Sequence, residues 1–599
     1  MYERATPDIT VSDYLVKTLE SNRIDYVFLV PGKLVYPLLA SIKRSRSITG
    51  IVAAHESACG FIADGYARAS QNFGVCLAIA GPGTMNLMPA MAAARADKIP
   101  VLYVLGGIPS YLEGRGAFQD GTHSGIGEAN VVRGLVNTVA DIRSPFNVRS
   151  EIKRTLSCLN WMRRGTGVLS FPVDIQKKPM SGMFIDDLTG GDRSGSIVCE
   201  VPAQPDAVEF ILNGFLLQSR RVAILAGSRA NNPRIARALL HVAEKFQVPV
   251  ATTLSGKGSF PEGHDLALGV YGFAGHARAI ELINSSQLDV LIVLGCDLNQ
   301  RDTLNWCKAM TEGKVVVSID DDFEHVAVDH PVDHVFFSGI YPTLQLLLEG
   351  EIRDTAEFEQ IVADREEWSE VLRQLPLHDE RFDGDLVMQQ GDAGLHPGAF
   401  IKQLRTQVPA GSSVVVDSGA HRVFMAHYWE SNGMGDYFSS STLAPMGWAV
   451  AAGIGVSLAR PELPCVVVTG DGCMLMHGTE IQTAARYQAN VIYIVLNNSA
   501  HGAIHVDAVA GSDLSTDFTA LPQHDWSAFA RALGVRAARV ERMEDVATHI
   551  EHAFSAPGPY LLEVMTGVFR APNRYYADSH AAFEAAMKLA APAPAYAAA

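Results

Sequence analysis

The run Cys465-Val466-Val467-Val468-Thr469-Gly470-Asp471-Gly472 is followed, after 24 intervening residues, by Asn497-Asn498. That pair closes a second apolar run, Val491-Ile492-Tyr493-Ile494-Val495-Leu496. Between the two runs, Glu480 to Tyr487 has helical patterning. Two buried strands joined by a helical crossover lie parallel, which brings Asp471 and Asn498 together at the carboxyl ends of neighbouring strands. One carboxylate and one amide oxygen form a sparse ligand set. It suits Mg2+, which takes the rest of its oxygen shell from a phosphorylated ligand. Gly470 and Gly472 let the backbone approach that phosphate, and the helix N-terminus just beyond favours its charge. An Asp-Gly pair alone occurs in any turn; two buried strands and Asn-Asn at this spacing give it meaning.

The chain has 599 residues and a mass of 64.6 kDa, too long for one core, and suggests about three or four domains. Its net charge of −17 argues against nucleic acid or an anionic membrane as partner. The eight cysteines, Cys59, Cys76, Cys158, Cys199, Cys296, Cys307, Cys465 and Cys473, include no Cys-x-x-Cys pair and read as reduced, buried thiols. No apolar signal core opens the chain and no apolar stretch is long enough to span a bilayer, so the expectation is a cytoplasmic protein.

Three α/β blocks follow one another. In the first, strands at Tyr26 to Val30, Gly50 to Ala54, Val75 to Ala80 and Val101 to Leu105 alternate with helices at Lys33 to Ile42, Glu56 to Ala69 and Thr84 to Ala96. A polar, Gly-rich interval around Thr189-Gly190-Gly191-Asp192 reads as a linker. The second block has strands at Val222 to Ala226, Val248 to Thr252, Leu288 to Leu294 and Val315 to Ile319. A charged, helical second linker then runs from about Glu351 to Gly394. The third holds the Asp471 motif. The expected architecture is three consecutive parallel-sheet α/β domains, over 1–185, 200–350 and 385–570, with a 571–599 segment ending in an Ala/Pro tail.

With Asp471 and Asn498 in this setting, the sequence resembles the thiamine-diphosphate (ThDP) decarboxylase and carboligase superfamily, closest in pattern to acetolactate synthase. His55-Glu56-Ser57-Ala58 followed by Ala63-Asp64-Gly65-Tyr66-Ala67-Arg68 matches that family's signature, as do the loops Pro31-Gly32 and Gly81-Pro82-Gly83-Thr84-Met85-Asn86. The resemblance implies a pyrimidine-binding first domain, a Rossmann-like central domain and a diphosphate-binding third domain. It implies that Glu56 shares a proton with the aminopyrimidine N1′ and so activates thiazolium C2. Ser441-Thr442-Leu443-Ala444-Pro445-Met446-Gly447 resembles the family's ring-supporting wedge, with Met446 as the wedge and the Ala444 carbonyl accepting from the 4′-amino group. Ala444 stands where the family has Gly. Gly419, Ala420 and His421 resemble the loop that contacts diphosphate, with Gly470, Gly472, Cys473 and Asn498 beside it. The implied metal ligands are Asp471, Asn498 and the Ala500 carbonyl, holding Mg2+.

On the substrate side, Gly116-Ala117-Phe118-Gln119-Asp120 resembles a segment of acetolactate synthase, which makes Gln119 a partner for substrate and His123 a candidate acid or base. His477 and His501 are further histidines at polar turns. Flavin-dependent relatives carry an Arg-Phe-Asp-Asp-Arg segment where this chain has Gly295-Cys296-Asp297-Leu298-Asn299-Gln300-Arg301-Asp302. Asp297 replaces the first Arg, so FAD is not expected. An adenine nucleotide or CoA portion in the central domain stays open. The leading reading is decarboxylation of a small-molecule 2-oxo acid, or a related carbonyl substrate, with transfer of the acyl carbanion to a carbonyl acceptor. It implies a homodimer or dimer of dimers with shared active sites. The alternatives are a 2-hydroxyacyl-CoA lyase or oxalyl-CoA decarboxylase, and a non-catalytic ThDP-binding subunit.

Overall fold

The computed structural model describes residues 9–159, 164–180, 201–322, 330–352, 355–378, 390–391, 394–509 and 514–573. Cys199, the interval around Gly190, the loop at Asp383-Gly384-Asp385 and the Ala/Pro tail lie outside these residues.

Three six-stranded sheets account for the architecture, and every strand pair in them is parallel. The first runs, in spatial order, Thr49–Val52, Tyr26–Leu29, Gly74–Ile79, Val101–Gly107, Thr166–Pro172, Thr138–Asp141. The third runs Tyr437–Ser439, Ser413–Val416, Cys465–Gly470, Val491–Asn497, Tyr560–Met565, Arg536–Val540. Numbered within each domain, both have strand order 2-1-3-4-6-5, so the outer domains are wired identically. The central sheet, His334–Phe337, Val315–Asp320, Val290–Leu294, Val222–Ala226, Val250–Thr252, Ala267–Val270, has the doubly wound order 3-2-1-4-5-6 read from its far edge. Interior strands such as Val290–Leu294 and Val491–Asn497 are buried along their whole length because helices cover both faces.

The sequence reading finds most of the interior strands but misses Thr166–Pro172 and Tyr560–Met565, and it misses most of the outer ones. Arg536–Val540 and His334–Phe337 are partly exposed, and Tyr560–Met565 carries Glu563 within it, so none reads as a buried apolar run. The charged stretch after Glu351 contains a 20-residue helix, Thr355–Gln374, packed on the central domain. Its fully buried Arg365 donates to the carbonyls of Phe246 (2.7 Å), Leu216 (2.9 Å) and Ser219 (2.6 Å).

The outer domains meet chiefly along one pair of helices, Glu56–Ser70 and Trp448–Ala459. Both are apolar nearly all round, as a helix buried on every side must be. Each contributes a glycine where the other's backbone passes. A Cβ on Gly65 would sit 2.2 Å from the Ala452 carbonyl oxygen, and one on Gly455 would sit 2.0 Å from that of Ile62. At the rim Arg68 bonds Asp64 (2.5 Å) and Asp97 (2.7 Å), and its guanidinium lies over the Trp448 ring.

Gly455→Ala is therefore expected to force the helices apart at a cost of about 3 kcal/mol. Differential scanning calorimetry should show a clearly lowered Tm, whereas Gly214→Ala, with nothing within 4 Å of its Cβ, should leave it unchanged or slightly raised.

Candidate active site

Asp471 is the first residue of the helix Asp471–His477, directly after the strand Cys465–Gly470. Its carboxylate is nearly fully buried and both oxygens are engaged. Oδ1 accepts from the Trp526 indole N–H (2.8 Å); Oδ2 accepts from the backbone N–H of Asn498 (2.9 Å) and Ser499 (3.1 Å). Burial pushes the Asp471 carboxyl up, and these hydrogen bonds work against that shift. Val468 and Ile494 are register partners in the adjacent strands, so Asp471 and Asn498 emerge at the same edge of the sheet, as the sequence predicts.

Around them opens a cleft of about 230 Å³, to which His421, Met446, Gly472, Cys473, Ala500 and His501 all contribute. All its lining residues lie at or beyond Pro397. His421, in the first turn of the helix Ala420–Tyr428, is buried, and its Nε2 has no hydrogen-bond partner among the described residues. Burial drops its pKa to about 3, so the ring is neutral at physiological pH and Nε2 is free to carry a donated proton. Asp417, just upstream, accepts from the N–H groups of Ser418 and Gly447 (both 2.9 Å) and from the Thr469 hydroxyl (3.0 Å). Burial raises it to about 6. It ties the His421 loop to the Met446 turn. Cys473 turns its thiol to the Ser418 carbonyl (3.2 Å).

Ala444 keeps the left-handed backbone of a glycine, with φ +56°, a conformation costing about 1 kcal/mol or more for a residue with a Cβ. A Cβ on Gly472 would meet Met446 Cε at 2.6 Å and His501 Nδ1 at 2.7 Å, so only glycine leaves the cleft open there. His477 lies behind the cleft against Phe61 (ring centroids 5.3 Å) and His55 (6.2 Å), and burial lowers it to about 4.

The pyrimidine-side candidates sit on the first domain. Glu56 opens the helix Glu56–Ser70, whose N-cap His55 accepts from Ser57 N–H (3.1 Å). Glu56 is half-buried, and its Oε2 accepts from the Asn86 amide (3.0 Å). Gly83 passes its Oε1, and at the same turn Gly81 packs on Gln119, which holds a left-handed φ of +60°. The structure thus brings Glu56 and Gln119 to one turn, Gly81–Asn86. Exposed His123 lines a separate pocket of about 170 Å³ with buried Glu128, which accepts from Gly81 N–H (2.8 Å). Neither Glu56, Gln119 nor His123 lines the Asp471 cleft.

In the central domain, Asp297 accepts from Arg229 (2.7 Å) and Lys98 (3.0 Å). Burial opposes ionisation of Asp297, but the two cations outweigh it and hold its carboxyl at about 2. Fully buried Arg229 also bonds Asp320, and Lys98 bonds Asp322 (2.6 Å). The crevice at the strand ends, where a doubly wound sheet takes a nucleotide, is thus lined by ion pairs.

A buried carboxylate, glycines held clear of a cleft and an imidazole nitrogen buried without a partner among the described residues fit a diphosphate carried on a divalent cation. The fold and the cleft together define a ThDP-type site. Family profiles agree along the chain. Those of the thiamine pyrophosphate enzyme N-terminal TPP binding domain, central domain and C-terminal TPP binding domain match residues 9–126, 212–347 and 417–564. Among curated relatives, "Probable acetolactate synthase large subunit" of Methanocaldococcus jannaschii is 27% identical over 572 residues, 92% of this chain and 91% of that protein. Acetolactate synthase isozyme 1 large subunit of Escherichia coli is 27% identical over 564 residues, 93% of each chain. Acetolactate synthase 2, chloroplastic, of Nicotiana tabacum is 27% identical over 572 residues, 92% of this chain and 82% of the relative. The chain belongs to the thiamine-diphosphate-dependent enzymes, with an acetolactate synthase-like pattern.

Sequence reasoning missed Trp526, Asn86 and Thr469, whose partners are far away in the chain. Replacing Trp526 by Phe removes the one side-chain donor to Asp471 among the described residues. Isothermal titration of ThDP with Mg2+ should show affinity weakened about 10-fold, the worth of one hydrogen bond to a charged group. Asp471→Ala should abolish binding.

Proposed function

We propose that this protein is a Mg2+-dependent acetolactate synthase-like carboligase, which decarboxylates a 2-oxo acid and joins the remaining acyl unit to a carbonyl acceptor. One observation carries the reading. The Asp471–Asn498 cleft, built to hold a diphosphate and its metal, lies on one domain, and the Asn86-held Glu56 carboxylate lies on another. When bound, ThDP supplies a carbon nucleophile and takes up the electrons released as the carboxylate leaves. Asp471, the Asn498 side chain and the Ala500 carbonyl would hold the cation. His421 would donate from Nε2 to the diphosphate, with the backbone around Gly419, Ala420, Gly470, Gly472 and Cys473 beside it. Met446 would support the cofactor rings and the Ala444 carbonyl would accept from the amino group. Glu56 holds a proton at its carboxylate for the pyrimidine ring, and Asn86 keeps that carboxylate in place. Gln119 orients the substrate, and His123 serves as acid or base.

Because no first-domain residue lines the Asp471 cleft, the reading requires a second copy to bring its Glu56 to that cleft. The apolar side chains left at both half-sites support this: Phe118 is 85% exposed beside Gln119, and Leu475 and Met476 are about half exposed after Asp471. The enzyme is then a homodimer, or a dimer of dimers, acting in the cytoplasm; among the described residues no helix is long and apolar enough to cross a membrane.

CO2 release from a panel of 2-oxo acids is the direct test, and at least one substrate should support turnover that requires both ThDP and Mg2+. Glu56→Gln and Asp471→Ala proteins should each be inactive. Mixing them should restore part of the activity, since a heterodimer holds one site with neither substitution. No recovery on mixing would refute the shared site.

FAD has no place in this reading, since Arg229 is spent on Asp297 and Asp320 in the central crevice. The purified protein should lack a flavin absorbance band and reach full activity without added FAD.

A further inference from the structure

The strand that leads into Glu56, Thr49–Val52, is the outermost of its sheet. On its inner side it pairs with Tyr26–Leu29, and the pairing extends one residue further through Ala53 N–H to the Leu29 carbonyl (3.0 Å). Backbone N–H groups alternate in direction along a strand, so those of Val52 and Ala54 point to the open edge. Among the described residues no strand covers that edge. Two side chains of the third domain do. The Tyr487 hydroxyl accepts from Val52 N–H (2.8 Å) and donates to the Gly50 carbonyl (3.4 Å). The Glu480 carboxylate accepts from Ala54 N–H at both oxygens (3.1 and 3.2 Å) and from the Thr483 hydroxyl (2.6 Å).

Glu480 and Tyr487 stand two helical turns apart on one face, so both side chains reach the same strand edge. Glu480 is 1% exposed, a carboxylate buried among backbone donors and with no cation beside it among the described residues. Burying such a group is costly, and a water or a neutral side chain could satisfy an amide more cheaply. The residue that benefits is close at hand. Two residues past the clasped Ala54 amide comes Glu56, while the helical segment that bears Glu480 and Tyr487 begins at the metal ligand Asp471.

We propose that Glu480 and Tyr487 are positioning residues for the reaction, clasping the open edge of Thr49–Val52 and so setting where Glu56 presents its carboxylate. The inference rests on the reading of Glu56 as the group that shares a proton with the pyrimidine ring. Glu480 and Tyr487 themselves touch neither cofactor nor substrate. They fix the height of the His55–Glu56 junction against the third domain, leaving Asn86 to fix the carboxylate itself. A proton-sharing contact is sensitive to displacements of about 1 Å, which can cost on the order of 100-fold in rate.

The test uses the ThDP- and Mg2+-loaded enzyme as wild type, Glu480→Ala, Glu480→Gln, Tyr487→Phe and Glu56→Gln. Three quantities are read: exchange of the cofactor's C2 proton followed by NMR after acid quench, ThDP affinity by titration, and Tm. Glu480→Ala and Tyr487→Phe should slow C2 exchange about 10- to 100-fold per bound cofactor, with ThDP affinity within about threefold of wild type. Glu480→Gln keeps an oxygen acceptor for Ala54 N–H and should recover most of the exchange rate. Wild-type exchange in Glu480→Ala or Tyr487→Phe overturns the proposal, as does a loss that only follows lost cofactor or lowered Tm. If Glu480→Ala does not fold, Tyr487→Phe, which removes a single oxygen, decides by the same criteria. Glu56→Gln separates the two readings. If it too exchanges like wild type, the role of Glu56 fails and takes the clasp with it; if it alone is slow, only the clasp fails.

Discussion

Two glycines and two carbonyl oxygens set the geometry on which the rest of this molecule depends. Where the helices Glu56–Ser70 and Trp448–Ala459 cross, Gly65 meets the Ala452 carbonyl and Gly455 meets that of Ile62, at distances no side chain could occupy. Close approach turns two amphipathic domains into one continuous core, in which Phe61, Tyr66 and Met91 pack with Trp448, Val467 and Tyr493. The first helix of the pair begins with Glu56. The second follows directly on Met446 and Gly447. Both halves of the site are thereby hung from one rigid joint, and a two-fold pairing of such bodies would close two sites at once.

Charge is handled in opposite ways in the cleft and in the central domain. Asp471 and Asp417 are buried and accept from N–H and O–H donors, and burial raises both carboxyls. In the central crevice Arg229 and Lys98 meet the carboxylates of Asp297, Asp320 and Asp322 directly. A buried pair of that kind satisfies itself, and parting it to admit a phosphate would strand several charges.

The outer domains share a strand order although their sequences show no repeat. Helices with different faces can serve the same wiring, provided each strand is apolar enough to be covered on both sides. Most of the interior strands, the Asp471–Asn498 spacing and the loops around Gly81 and Gly419 could all be read in the chain, because each is a local pattern with a local physical cause. Trp526, Asn86, Glu480 and Tyr487 could not. An indole or a hydroxyl carries no sequence signature of the partner it will meet, and Trp526 lies 55 residues from Asp471 while Tyr487 lies 435 from Val52.

The sequence by itself determined which segments form buried parallel strands, where glycine must admit a close approach, and which carboxylate and amide share the end of a strand–helix–strand unit. Those follow from periodicity, chirality and the length of a crossover, all properties of a few dozen consecutive residues. Tertiary structure alone decided that no first-domain residue lines the Asp471 cleft, that Arg229 is ion-paired to Asp297 and Asp320 at the central strand ends, and that a carboxylate from the third domain holds the strand before Glu56. Each of these depends on which faces pack together. Packing is settled by the whole surface an element buries, and no short stretch of sequence contains that information.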